Sequence, residues 1–381
     1  MRQVRLGDFL EVQAGFAFKT EFFTSGDGVP LIRIRDLAQS KTEINYCGPY
    51  KPDFLVNNGD YLIGMDGNFR CHRWQGGPSL LNQRVCRVRN FRQDIEPDYV
   101  YYGIQRKLQD IEDTTSFVTV KHLSATQVQN VEMPLPSLPE QRRIVDLLSR
   151  AEGIVLLRRE AEKKAAELIP ALFIDMFGDP ATNPKGWPVR KVADFVKRFG
   201  GGKNIQAGSE NGSAYRILKV SAVTSGVYRE SERKPSPDGY IPPASHIVRP
   251  GDMLFSRANT EVLVGATAVV EKTDGTTLLP DKLWRFVWNE PVESAYMHAL
   301  FQSGHIRQEL GILSSGTSAS MRNISQGKLF ALTMPIAPYS SQKEFAERSA
   351  MMRSIQSQQS TATAKAQATF DALLADAFKA A

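Results

Sequence analysis

The chain has 381 residues, 42% hydrophobic and 23% charged, with a formal net charge of +6. That length suits about two to four domains, and no apolar run is long enough to span a membrane. The N-terminus lacks the apolar core of a signal peptide, so the sequence reads as cytoplasmic, and the positive balance admits nucleic acid as a partner without requiring it.

Residues 1–136 read as a mixed α+β segment. Short apolar runs at Leu31 to Ile34, Tyr61 to Met65 and Val85 to Val88 predict strands, punctuated by turns such as Asn57-Asn58-Gly59-Asp60. A short helix is expected over Pro97 to Glu112. The three cysteines, Cys47, Cys71 and Cys86, form no C-x-x-C pair. This composition argues against a disulfide framework and against a structural zinc site.

Residues 137–178 predict one long helix. Ser137 and Glu140 have capping-box spacing, and Pro139 suits a first turn. Apolar residues then recur at helical spacing, among them Ile144, Leu148, Ile154, Leu168 and Leu172, until Gly178 and Pro180 stop the run. At 1.5 Å per residue such a helix is about 55–60 Å long. With charge pairs such as Glu160 and Lys164 on its wet face, it predicts a coiled coil that needs a partner helix.

Residues 179–337 comprise the linker Asp179 to Trp187 and a second mixed segment, with a further short helix expected over Val292 to Leu313. Residues 338–381 then repeat the long helix. Gln141 answers to Gln342, Ile154 to Ile355, Leu172 to Leu373 and Phe177 to Phe378, all at an offset of 201. The globular parts repeat too. Leu6 to Leu10 answers to Val192 to Val196 at an offset of 186, and Gly59-Asp60 to Gly251-Asp252 at 192. Order is kept while the offset grows, which is the mark of duplication with added loop residues in the second copy. In its middle the second helix is weaker, carrying Ser354, Gln356, Ser357, Gln358 and Gln359 where the first has Val155 and Leu157.

Enzymatic readings find little support. The one Pro-Pro, Pro242-Pro243, lacks the flanks of an amino-methyltransferase motif, and Gly200-Gly201-Gly202-Lys203 lacks P-loop spacing. A nuclease pattern built from Asp98 and Glu162-Lys163-Lys164 places half of itself on the coiled coil. The polar clusters carry more. Arg70, His72 and Arg73 crowd a predicted loop, and Asn82, Gln83 and Arg84 open the next strand. In the second copy Arg257, Asn259 and Thr260 follow a strand, Lys282 precedes one, and Lys203 follows the glycine turn. Arginine reads guanine and Asn or Gln reads adenine in the major groove, so these sets suit base readout. Lys121 and Arg322, equivalent at an offset of 201, suit phosphate contacts, with Asn323 beside them.

The run Met133-Pro134-Leu135-Pro136-Ser137-Leu138-Pro139-Glu140-Gln141 into the helix, the run Leu172 to Pro180 out of it, Asn183 to Pro188 and the paired Gly-Asp motifs together resemble the specificity subunit of a type I restriction-modification system. The resemblance covers the whole chain. It implies two α+β target-recognition domains, residues 1–136 and the 179–337 segment, separated by two long antiparallel coiled-coil helices. Each domain would read one half of a bipartite, asymmetric DNA site. The helices, through Ile144, Leu148, Ile154, Leu168, Leu172, Ile355, Leu373 and Phe378, would dock two modification subunits, which restriction subunits then join. S-adenosylmethionine, ATP and Mg are expected on those partners only, with no cofactor, metal or catalytic residue here. The competing readings are a self-contained DNA methyltransferase or nuclease, and a docking adaptor that never touches DNA.

Overall fold

Strand pairing repeats itself along the chain. The computed structural model describes residues 3–114, 122–209, 214–318 and 321–379. It divides into two units: Met1–Arg159 with Thr361–Ala381, and Glu160–Ser360. In the first unit an antiparallel sheet runs in the order Glu11–Ala14, Val85–Arg89, Tyr61–Gly64, Cys71–Arg73. In the second the order is Val196–Gly201, Leu283–Trp288, Met253–Ser256, Thr267–Val269, strand for strand the same. Each unit also holds a parallel pair, Val29–Ile32 with Ser79–Leu81 and Arg216–Leu218 with Thr277–Leu278. Each closes its entry strand on its exit strand, Gln3–Arg5 on Glu132–Pro134 and Val189–Lys191 on Thr333–Pro335.

The central strands are mostly apolar on both faces, with Arg87 and Arg285 as exceptions, because both faces of the sheet are covered. Side chains alternate between faces. Cys86, Val88 and Ile63 enter one core with Tyr99, Ile104 and Leu108 of the helix Pro97–Thr114, while Val85 and Leu62 enter another with Ile32 and Trp74. The second unit splits likewise: Phe255, Trp284 and Phe286 face one core, Leu254 and Leu283 the other. The helix expected over Val292 to Leu313 is two helices, Ser294–Gln302 and Gly304–Leu313, because Ser303 is extended. The strand expected over Leu31 to Ile34 ends at Ile32, and a 3-10 turn follows at Ile34–Asp36.

The Gly-Asp pairs are structural. Gly59 and Gly251 take left-handed backbone angles, φ +94° and +86°, which favour glycine. The Asp60 carboxylate accepts the Asn57 N–H at 2.9 Å, and the Asp252 carboxylate accepts the Arg249 N–H at 2.7 Å. Each aspartate then meets one buried or half-buried arginine. Arg87 pairs with Asp60 at 3.3 Å and donates to the Leu55 and Asp53 carbonyls. Arg285 pairs with Asp252 at 3.2 Å and donates to the Ile247 and Ser245 carbonyls. Burial outweighs the pairing in the second unit, raising the Asp252 carboxyl and lowering the Arg285 guanidinium.

The two long helices are Leu138–Phe177 and Tyr339–Ala377, and both lie partly in each unit. A buried glutamine fixes each start. Gln141 Oε1 accepts the Glu96 N–H and its Nε2 donates to the Pro136 carbonyl; Gln342 does the same with Glu293 and Ala337. Within the first unit Ile144 and Leu148 share a core with Leu373, Leu374 and Phe378, and farther along Arg159 donates to Gln367 at 2.8 Å. Within the second unit Phe173 and Phe177 pack on Phe345, and Gln356 donates to the Ala165 carbonyl at 2.8 Å. In both, one helix descends as the other climbs, so the pair is antiparallel. Each unit thus ends on a phenylalanine from the far end of a helix: Phe378 lies 4.9 Å from the Tyr99 ring and Phe177 lies 4.8 Å from Tyr296. The segment after Phe177 is ordered by its own bonds. Trp187 Nε1 donates to the Phe177 carbonyl at 3.1 Å, and Asn183 and Trp187 exchange two hydrogen bonds.

Candidate nucleic-acid interface

Three chain segments converge at one end of each central sheet, held by the same backbone bonds. In the first unit the Met65 N–H donates to the Arg84 carbonyl at 2.9 Å, and the Leu123 N–H to the Met65 carbonyl at 2.7 Å. In the second the Arg257 N–H donates to Lys282 at 3.1 Å, and the Ile324 N–H to Arg257 at 2.9 Å. Met65 and Arg257 are therefore equivalent, as are Arg84 and Lys282. A fourth segment arrives beside them through Gly15 and Gly202, where a Cβ would overlap the Asn82 and Leu279 carbonyl oxygens. It places Phe16 opposite Asn82 and Lys203 opposite Pro280.

The second unit brings most of its expected residues together. Strand Ala258–Asn259 pairs with Met321–Asn323, which sets Ala258 across from Asn323 and Asn259 across from Arg322. Arg257 lies over the Trp284 ring at 5.6 Å, donates from Nε to the Asp281 carbonyl at 2.7 Å and reaches Asn323 Oδ1 at 3.1 Å. Asn259 Oδ1 accepts the Thr260 N–H at 2.8 Å. Arg322 pairs with Glu261 at 3.5 Å, and Lys282 and Lys203 are exposed. The result is a hydrogen-bonded floor of amides and guanidinium groups with lysines at its rim.

The first unit splits what the sequence had grouped. Arg84 pairs with Asp66 at 3.4 Å, His122 Nδ1 lies 2.7 Å from the same carboxylate, and Asn82 and Gln83 stand beside them. Lys121 lies outside the described residues. Arg70, His72 and Arg73 belong to a different place. The stretch expected to be a loop contains the strand Cys71–Arg73 against the helix Pro97–Thr114. There Arg73 is bound to Asp98 and lies 5.0 Å over the Tyr101 ring, and Arg70 is held by Gln109 and by Glu112 at 3.6 Å. Burial, then the Arg70 charge, lowers the pKa of the half-buried His72, so it is neutral at pH 7 and offers a phosphate no charge. Sequence reasoning missed the carboxylates Asp66 and Glu261. Their signal was position, since each follows within five residues of an apolar strand, Asp66 after Tyr61–Gly64 and Glu261 after Met253–Ser256.

The helix residues named for docking also divide. Ile144, Leu148 and Leu172 are buried within their own units, and Leu373 and Phe378 pack half-buried in the first. Ile154, Leu168 and Ile355 are exposed, together with Leu147 and Leu157. Among the described residues no cluster of three His, Cys, Asp or Glu side chains is placed to hold a metal ion, and no helix is long and apolar enough to cross a membrane.

Residues 1–166 match the family described as the type I restriction modification DNA specificity domain. The chain is 36% identical over 171 residues to the EcoBI specificity subunit of Escherichia coli, a match over 45% of this chain and 35% of that protein. It is 28% identical over 205 residues to the EcoEI specificity subunit of the same organism, over 52% and 34%. It is 22% identical over 320 residues to the MjaVIII specificity subunit of Methanocaldococcus jannaschii, over 78% and 72%. The chain thus spans about a third of the two E. coli relatives it matches. Its fold is that of the type I restriction-modification S subunit from M. genitalium, with a TM-score of 0.58 at 10% identity over 100% of this chain and 96% of that one. A second solved chain, from a study of type I R-M complex assembly, gives 0.58 at 17% identity over 99% and 97%.

Proposed function

We infer that this chain, whose residues 1–166 match the type I restriction modification DNA specificity domain, is a specificity subunit in both of its halves. Each unit reads one half of a bipartite, asymmetric duplex site. The observation that carries this reading is the pair of equivalent frames with unlike side chains: Met65, Arg84 and His122 at one, Arg257, Lys282 and Asn323 at the other. Two readers of one frame with different donors and acceptors select different base edges. Residues 1–136 and 187–337 are the recognition domains, and Arg322, Lys203 and Lys121 position the backbone.

The chain itself does no chemistry. Two modification subunits dock on the long helices, whose exposed residues include Ile154, Leu168 and Ile355, and bring S-adenosylmethionine; restriction subunits bring ATP and Mg. The whole works in the cytoplasm. Mapping methylated adenines in a host carrying the system tests this reading. The expected map has one split motif, and Arg257→Ala relaxes one half of it alone. S-adenosylmethionine binding by the isolated chain would favour the enzyme reading instead, and duplex affinity that ignores salt would favour the adaptor.

A further inference from the structure

Beside the recognition cluster of the second unit is a cleft of about 190 Å³. Four lysines distant in sequence line it, Lys203, Lys219, Lys234 and Lys282, against one lining carboxylate, Asp281. The lysines arrive by specific backbone devices. Lys203 follows the close approach at Gly202. Lys219 leaves the strand Arg216–Leu218 at the start of a 3-10 turn. Lys234 sits across from Ile217, and its Nζ donates to the Ile205 carbonyl at 2.9 Å. Asp281 is already engaged by Arg257 at 3.7 Å, while Lys203, Lys219 and Lys282 make no ion pair among the described residues.

Four ammonium groups around one opening repel each other, and a ligand with several anionic oxygens relieves that repulsion. Buried Ile217 and Leu218 among the lining residues keep water from part of the wall, which strengthens each charge contact. The duplicate shows that the frame does not require such a cleft. At the position of Lys203 the first unit has Phe16, packed on Phe18 and Phe54 at 5.2 and 5.1 Å. At the position of Lys219 it has Arg33, tied to Asp36 at 3.4 Å and Glu43 at 2.9 Å. One copy fills and neutralises the place that the other leaves open and positive.

We propose that the cleft of the second unit is a phosphate-binding site, taking either a backbone phosphate of the bound duplex or the phosphates of a free nucleotide. The backbone source rests on the DNA reading above; the free source does not. Two probes separate them on the full chain. Inorganic pyrophosphate is titrated calorimetrically at low salt, and a duplex of about three helical turns is bound across a salt series. The double variant Lys219→Ala with Lys282→Ala is compared with wild type and with Lys272→Ala, an exposed lysine that does not line the cleft. Lys234→Met serves as a second test from the neighbouring strand, with thermal melts confirming the fold of each.

The expected result is at least a tenfold loss of pyrophosphate affinity in the double variant and none in Lys272→Ala. For a backbone phosphate, the slope of log affinity against log salt also falls by about 0.9 for each lysine removed from a contact. Loss in the pyrophosphate arm with an unchanged duplex slope assigns the cleft to a free polyphosphate. A chain that binds no duplex yet loses pyrophosphate with the lysines keeps the cleft and removes the DNA reading. Variants within twofold of wild type in both arms overturn the proposal.

Discussion

In the first unit the strand Tyr61–Gly64 runs out into Met65 and Asp66; in the second the equivalent strand, Met253–Ser256, runs out into Arg257 and Ala258. The backbone bonds around Met65 and Arg257 are the same. What they carry is not: an acid shared by Arg84 and His122 in one, an arginine floor over Trp284 in the other. Behind those loops the units stay alike, down to the Arg–Asp pair and the glutamine at the helix start. The side chains diverge at the sheet end where three segments meet while the central sheet behind it keeps its strand order, so that end can change what it touches without disturbing the sheet.

The comparison can be broken where it is most alike. Phe177 is buried against Tyr296 and Phe345, whereas its counterpart Phe378 is half-buried. Phe177→Ala is expected to cost the second unit about 3–5 kcal/mol, and Phe378→Ala clearly less in the first. Hydrogen exchange resolved by unit checks this; equal losses would mean the two helix ends do the same work. Arg285→Met strands Asp252, a carboxylate only 12% exposed, and is expected to cost about 3–5 kcal/mol. Arg87→Met strands Asp60, which at 30% exposure can rehydrate, so its cost is smaller.

A third test sharpens the contrast in pH. His298 stands where the first unit has Tyr101, with Thr267 Oγ1 at 2.9 Å from its Nδ1. Burial, then the Arg353 charge, pulls its imidazole from 6.5 to about 4. Between those values the unfolded chain binds the proton and the folded unit does not, so stability falls as pH drops through that window. The loss in the second unit is on the order of 2–3 kcal/mol. Trp74→Phe leaves fluorescence to Trp187, Trp284 and Trp288, all in the second unit. In that background His298→Phe should flatten the limb between pH 6.5 and 4. The smallest expected effect is on recognition: Arg84→Ala and Arg257→Ala should each cost about 1–3 kcal/mol of discrimination, in opposite half-sites. Loss at both halves from one change would dissolve the division of labour.

The features legible in the sequence were those written in local pattern. Helical spacing from Ile144 to Leu172 and the stop at Gly178 marked the first long helix, and the fixed offset from Gln141 to Gln342 marked the second. The Gly-Asp turns were visible because glycine alone tolerates their backbone angles at no cost. Long-range packing was not legible. Nothing near Gly103 announces that Phe378 will lie against it, where a Cβ would overlap the Phe378 ring. Likewise Arg73 looked like a free cation beside Arg70 because Asp98, its partner, sits on a helix whose docking no local pattern encodes.

The first unit is finished by residues Thr361–Ala381, whereas the second is one uninterrupted stretch. On a ribosome this reverses the usual order, in which the earlier-made domain folds first. The second unit can close as soon as it emerges. The first must wait with Tyr99 and Gly103 uncovered until Phe370, Leu373 and Phe378 have been translated. A released chain truncated after Ser360 should therefore show protease-resistant residues 160–360 beside a first unit still open to cleavage, and a chaperone that binds apolar surface would find it there.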